Sequence, residues 1–277
     1  SRGLGDVYKR QPEQRPGGSV SGIVSPLEFH TPGLEDFKFG GTFGVAWMDK
    51  PFWQVIIAFL VVIVFWVWMS RGLKVVPGKR QVFGEYCYNF IRNSLARDTI
   101  GHGFEPWLPY LVALFSFILI NNWFGELFVF MFPTFSHVGY VYGLAIVSWF
   151  VYVIAGFKTK GIRYLKDSVL PPGVPWYLRW LIIPLEFLSN FVTRPLTLSL
   201  RLFANMVAGH LIIMIFVVGG GFLLTYPSSI IYNVAGGLSL ILSFALFALE
   251  LFVGFLQAYV FTVLSAQYVA SSMSEEH

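Results

Sequence analysis

The chain has 277 residues, of which 56% are hydrophobic and 12% charged, with a formal net charge of +4. Soluble domains average about 25% charged residues, so these proportions exclude an ordinary cytosolic enzyme, a disordered protein and a collagen-like chain. The single cysteine, Cys87, excludes an internal disulfide and a Cys-built metal site, and no basic stripe with interleaved aromatics points to nucleic acid.

Residues 1–11, SRGLGDVYKRQ, read as a non-native leader. Residues 12–51 are polar and rich in Gly and Pro and read as an extracytoplasmic N-terminal segment. From residue 52 to 277 the pattern is that of a single transmembrane domain, with spans at about 52–69, 107–132, 138–157, 180–224 and 230–270. The first span is eighteen residues without a charge. Residues 82–97 then place Val82, Phe83, Tyr86, Phe90 and Ile91 near one face, which predicts an amphipathic helix at the membrane interface; the alternative is a plain linker with incidental periodicity. The second span carries one acid, Glu126, and the pair Asn121 and Asn122. The PTFSHV link that follows reads as a hairpin turn into the uncharged third span.

The last two runs are longer. Residues 180–224 contain Glu186, Arg194, Arg201 and His210, and residues 230–270 contain one charge, Glu250. Leu238–Ala270 has no Pro and one Gly. As one helix it measures about 50 Å at about 1.5 Å per residue. A hydrocarbon core of about 30 Å then requires a tilt of roughly 50°. Leu196–Leu224 makes a similar case, with the Gly219–Gly221 triplet expected to end it. The fold class is therefore all-α: a polytopic membrane protein of five crossings plus an interfacial amphipathic helix, its last two helices long and steeply tilted in a hairpin.

Loop charge gives an orientation. Residues 71–106 carry six Lys and Arg and residues 158–180 carry five, whereas 133–137 and 225–229 carry none. The positive-inside rule puts both basic loops in the cytoplasm, the N-terminus outside and the C-terminus, after five crossings, in the cytoplasm.

Ionisable groups within spans are the candidate functional residues. A mid-membrane arginine costs about 2.5–3.5 kcal/mol even on lenient insertion scales, and a guanidinium cannot lose its proton to escape that cost. Arg201 is the foremost candidate, against the alternative that it snorkels or pairs with a structural acid. Arg194, nearer the interface, suits that alternative better. Asn205 lies about 40° from Arg201 on the helical wheel and shares its face, while His210 lies about 180° away. On the last helix Gln257 falls about 20° from Glu250. His210 and Glu250 could form a protonatable pair or simply two satisfied helix–helix contacts.

The segments RPLTLSLRLFANMVAGH and ELFVGFLQAYVFTVLSAQYVASSMSEEH resemble subunit a of the bacterial F-type ATP synthase, the stator of its membrane proton motor. The close match covers about residues 186–277, and LINNWFGE upstream fits more loosely. The resemblance implies that Arg201 is the family's essential arginine, Asn205 its polar neighbour and Gln257 the glutamine opposite it. His210 and Glu250 fall at two positions that carry an acid and a histidine, in that order, in some bacterial members. Here the order is His then Glu, as in mitochondrial members. The resemblance further implies a c-subunit ring, peripheral-stalk b subunits and the remainder of the ATP synthase as partners, the bacterial cytoplasmic membrane as location, and proton translocation through two offset half-channels. It implies no cofactor, no metal and no active site of the chain's own.

Two other classes are weaker. A secondary transporter would carry inverted repeats and matched broken helices, and none is visible. An intramembrane enzyme would need a nucleophile–base or metal set such as HExxH, and His30, His102, His137 and His277 have no such spacing. A P-loop motif is absent as well.

Overall fold

The computed structural model describes residues 33, 49–126, 133–170, 176–225 and 230–274, all within the unit Thr31–His277. The expected leader, nearly all of the N-terminal segment, the end of the second span (127–132), the 226–229 turn and the last three residues lie outside the described residues.

The described residues form helices and no strands. In order they are α1 Lys50–Ser70, α2 Lys79–Phe90, α3 Asp98–Ile100, α4 Leu108–Glu126, α5 Val138–Lys160, α6 Arg163–Val169, α7 Arg179–Leu188, α8 Arg194–Thr225 and α9 Ile230–Met273. Five helical segments are long and apolar enough to cross a membrane: Lys50–Ser70, Glu105–Glu126, Val138–Lys160, Trp176–Thr225 and Ile230–Met273. This is a multi-pass membrane architecture, and the five expected spans are in place.

Helix α1 starts where Asp49 accepts a hydrogen bond from the Phe52 amide at 3.0 Å, with Pro51 in the first turn. Such a cap contributes about 1 kcal/mol. The same carboxylate accepts from the Tyr140 hydroxyl at 3.0 Å and so ties α1 to α5. At the far end of α1 the Trp66 indole donates to Ser116 on α4 at 3.0 Å.

Three features differ from the sequence reading. The 82–97 stretch is helical, but its two halves differ. Val82, Phe83 and Tyr86 are exposed, as an interfacial face requires. Beyond them the chain widens into a π-helical turn, Ile91–Arg97, and Ile91, Leu95 and Ala96 are buried in the bundle, with the Phe90 ring packed near Phe115, Phe255 and Tyr259. The fourth span is also divided, into α7 and α8 joined by a π-helical turn at Ser189–Thr193. Finally, Gly219–Gly221 does not end α8, which continues to Thr225. Glycine is tolerated inside membrane helices because small residues let backbones approach, and here Gly220 lies against Gly236 of α9.

Helices α8 and α9 form an antiparallel hairpin paired along its length. Gly220 meets Gly236, the Ser239 hydroxyl donates to the Phe216 carbonyl at 2.8 Å, Gly209 meets Glu250, and the Arg194 guanidinium lies 5.1 Å from the centre of the Tyr268 ring. Helix α4 is the central element. The Asn122 amide donates to the Gly254 carbonyl at 2.8 Å and the Trp123 indole to the Leu251 carbonyl at 3.2 Å, which fixes the end of α4 against the middle of α9. The apolar core of α4, α5, α8 and α9 includes Leu111, Ile118, Val141, Leu202 and Phe261. Coverage is uneven: 56% of an apolar 18-residue stretch of the Glu105–Glu126 span is buried, against 11% of such a stretch in Trp176–Thr225 and 17% in Ile230–Met273. The hairpin thus leaves most of its surface open.

A methyl group at Gly236 would lie 2.9 Å from the Gly220 carbonyl oxygen, whereas one at Gly237 meets nothing within 4 Å. Gly236→Ala should therefore destabilise the purified chain by roughly 1–3 kcal/mol through overpacking, and Gly237→Ala should be neutral. Thermal unfolding in detergent checks this, and equal effects would show that the hairpin is not held at this separation.

Candidate functional site

The arginine, histidine and acid singled out from the sequence occupy two different flanks of α8. The helix packs through Pro195, Leu198, Ser199, Leu202, Met206 and Val207. Arg201 lies to one side of this stripe and His210 to the other, as the half-turn between them dictates. Arg201 is exposed on the chain surface, on the same face as the exposed Thr197, Ala204 and Ala208. Among the described residues no carboxylate lies within 4.0 Å of it and no hydrogen bond reaches it. Asn205, one turn on, is half-buried, with its Nδ2 enclosed and without a hydrogen-bond partner among the described residues.

The pairing of the hairpin sets the level of Arg201 on α9. Gly209 is level with Glu250 and Arg194 with Tyr268, so Arg201 falls within about one turn of Gln257. Gln257 is half-exposed, on the next helix at nearly the depth of the guanidinium.

His210 faces a second acid, Glu126, and Glu250 is buried against the residue before His210, Gly209. Glu250 is 8% exposed, and its carboxylate occupies the space over the Cα of Gly209. A Cβ at 209 would overlap that carboxylate, so only glycine admits the acid at this crossing. Beside it, the Nδ1 of His210 stands 3.7 Å from Oε1 of Glu126, whose side chain is 4% exposed. Helices α4, α8 and α9 each contribute one titratable side chain to a single buried cluster. Glu250 lies against the adjacent Gly209, and the acid that faces His210 is thus Glu126, which sequence reasoning left without a role. Its signal was available, as the lone acid in an otherwise uncharged span, but nothing local to it indicated His210.

A second polar group lies toward the other end of the bundle. Asn190, in the π-helical turn, donates to the Ser168 carbonyl at 2.8 Å and to Glu186 Oε2 at 3.4 Å, and its own carbonyl accepts from the Tyr152 hydroxyl at 2.7 Å. Nearby Tyr164, in α6, packs over Gly156. Burial raises its hydroxyl above the ordinary tyrosine value, so it stays a neutral phenol. The Arg194 guanidinium rests on Tyr268, a contact that accounts for this charge structurally, as its position near the interface suggested.

Counted along α8, Arg201 stands about 16 Å from Asn190 on one side and about 14 Å from His210 on the other. Two polar clusters thus lie toward opposite ends of the bundle, with the guanidinium at an intermediate level. Among the described residues no group of three or more His, Cys, Asp or Glu is arranged to hold a metal ion.

Helices of this length and apolarity, with charges of this kind between them, define a polytopic membrane protein with an ionisable interior. The family model for the ATP synthase A chain matches residues 52–270. The chain is 44% identical over 257 residues to ATP synthase subunit a of Nocardioides sp., covering 91% of this chain and 93% of that protein. It is 41% identical over 251 residues to ATP synthase subunit a of Pseudarthrobacter chlorophenolicus, covering 89% and 94%. A third relative, ATP synthase subunit a of Parafrankia sp., is 36% identical over 267 residues, covering 94% and 89%. The chain belongs to the ATP synthase subunit a family, whose work is proton transport coupled to ATP synthesis within the membrane complex.

Gly209 offers a test that separates position from stability. Because the overlapping group is the end of a flexible side chain, Gly209→Ala should move the Glu250 carboxylate at little cost in folding. ATP-driven proton uptake by vesicles bearing the complex should fall several-fold, while the amount of assembled complex stays near wild type. Gly219→Ala, which meets nothing within 4 Å, should leave both unchanged.

Proposed function

We propose that this chain is the proton-conducting stator of a bacterial F-type ATP synthase, in which two offset half-channels pass protons to and from the carboxylates of a c-subunit ring and Arg201 separates them. The observation that carries this reading is Arg201 itself: a permanent cation on a membrane-spanning helix, exposed on an uncovered face, with no acid of its own chain beside it among the described residues. Such a charge finds its counter-charge outside the chain. At about 4 Å and an effective dielectric of about 20, a passing carboxylate gains about 4 kcal/mol of attraction. That equals roughly 3 pKa units, enough to ionise an acid whose pKa burial has raised to about 8–9.

The rest of the site suits this role. Asn205 and Gln257 lie within about a turn of the guanidinium's level and would orient the approaching carboxylate. His210 and Glu250, on the far flank of α8, would line the half-channel that opens outside. The Asn190 and Glu186 group, near the end of α5 and the basic loops, marks the cytoplasmic side. In this reading the N-terminus is outside and the C-terminus cytoplasmic, and the chain sits in the cytoplasmic membrane with peripheral-stalk b subunits and the remainder of the synthase.

Helix α9 has 44 residues, or about 66 Å at about 1.5 Å per residue. That is over twice a hydrocarbon core of about 30 Å, so a steep tilt keeps its apolar length in lipid. A tilted hairpin with an open apolar face can follow the curved wall of a ring. The membrane potential would drive each proton with about 2.3 kcal/mol per 100 mV.

Arg201→Ala should abolish ATP-driven proton uptake in vesicles carrying the assembled complex; uptake at the wild-type rate would refute the assignment. Exchanging the buried pair gives a second measurement. His210→Glu combined with Glu250→His should be milder than either single change if the two groups work together, and strictly additive losses would count against that coupling.

A further inference from the structure

We infer that Glu126 is a third proton-carrying residue of this chain, passing protons between the 133–137 end of the bundle and the His210–Glu250 pair. The inference rests on the half-channel reading above and adds a group on a third helix to it.

Its basis is position. Glu126 ends the described part of α4, and the neighbouring Gly125 is so close to Pro133 that a Cβ would lie 2.9 Å from the Pro133 Cα. Glu126 thus sits one residue from the contact with the 133–137 segment, and its carboxylate faces His210. One oxygen faces His210 Nδ1 at 3.7 Å, about 0.8 Å longer than a direct hydrogen bond of about 2.9 Å. A small side-chain rotation or one water closes that gap. The same oxygen is enclosed and accepts no hydrogen bond among the described residues, and Glu250 Oε1 is in the same condition. Movement of one proton among Glu126, His210 and Glu250 is the step proposed.

The step balances without any co-reactant. The O–H bond of the Glu126 carboxyl breaks as an N–H bond forms at His210 Nδ1, leaving a carboxylate beside an imidazolium. The imidazolium then releases its proton to Glu250, and Glu126 is reprotonated from the 133–137 side. Toward that side other polar atoms are buried without partners. Gln54 on α1 is 1% exposed with neither amide atom bonded, and the Thr134 and Ser136 hydroxyls are also enclosed and unbonded. The residues of α1 contact the 134–136 turn, which in turn contacts α4 and α8. Buried polar atoms of this kind are ordinarily satisfied by ordered water, and water there would link Glu126 to the membrane surface.

The test uses vesicles carrying the complete synthase with this chain, measuring ATP-driven proton uptake per assembled complex. Glu126→Gln keeps shape and hydrogen-bonding capacity but carries no proton. It should slow uptake about ten-fold, less than the roughly hundred-fold of a lost direct general acid because water can substitute in part. Glu126→Asp should restore most of the rate. Wild-type uptake in Glu126→Gln, or equal impairment by Gln and Asp, would overturn the inference, since a packing role would give one or the other. If Glu126→Gln does not assemble, Glu126→Leu removes the need for a buried partner, and wild-type uptake in that variant overturns the inference equally. Arg201→Ala run in parallel separates the two levels. If it abolishes uptake while Glu126→Gln does not slow it, only the role of Glu126 fails; if Arg201→Ala pumps normally, the half-channel reading itself fails.

Discussion

A guanidinium on a lipid-spanning helix constrains this protein more than any other group. Arg201 cannot shed its charge, and no acid of the described chain stands beside it. Bundle packing could have buried it against Glu126 or Glu250, which lie in the same set of helices. Instead the half-turn between Arg201 and His210 puts the arginine on the opposite flank of α8 from both acids. That separation leaves the cation facing outward from an open face, and keeps a buried, protonatable cluster some 14 Å further along the same helix, counted by its rise.

The packing that maintains this division uses small residues and side-chain-to-backbone bonds more than large apolar side chains. Gly220 and Gly236 bring α8 and α9 together at one end of the hairpin, and Gly209 makes room for Glu250 nearer its middle. Asn122 and Trp123 bind α4 to carbonyls of α9. Lipid gives no hydrophobic reward for helix association, so close backbone approach and polar bonds carry it. These contacts also set the depth of each charge, because the pairing of a hairpin fixes which residues are level with one another. Gly209 is thus both a packing residue and a determinant of where a carboxylate sits.

The two π-helical turns extend the same logic. The turn at Ile91–Arg97 carries the chain from an exposed surface helix into the core, and the one at Ser189–Thr193 separates exposed α7 from the charged helix α8. The second is followed closely by Pro195, in the first turn of α8, while the first has no comparable marker, and the sequence reading predicts neither break. The Gly219–Gly221 triplet led it astray for a related reason. Glycine is a helix terminator in water, whereas here one of the three is a contact surface for the neighbouring helix.

Five spans, the lengths of the last two and the identity of the unusual charge could be read directly from the chain, since hydropathy and helical periodicity are local properties. The wheel angles from Arg201 to Asn205 and His210 followed likewise from spacing within one helix. Which helix each flank meets was not local. Glu126 is far from His210 in the chain and shares no period with it, so only the packing of α4 against the hairpin could join them. Burial of Ile91 in the core, with Phe90 packed against it in place of a membrane surface, was settled in the same way. Sequence determines how deep a residue lies and which way it points about its own axis; tertiary structure decides its neighbours, because they depend on contacts between segments whose relative placement no single segment encodes.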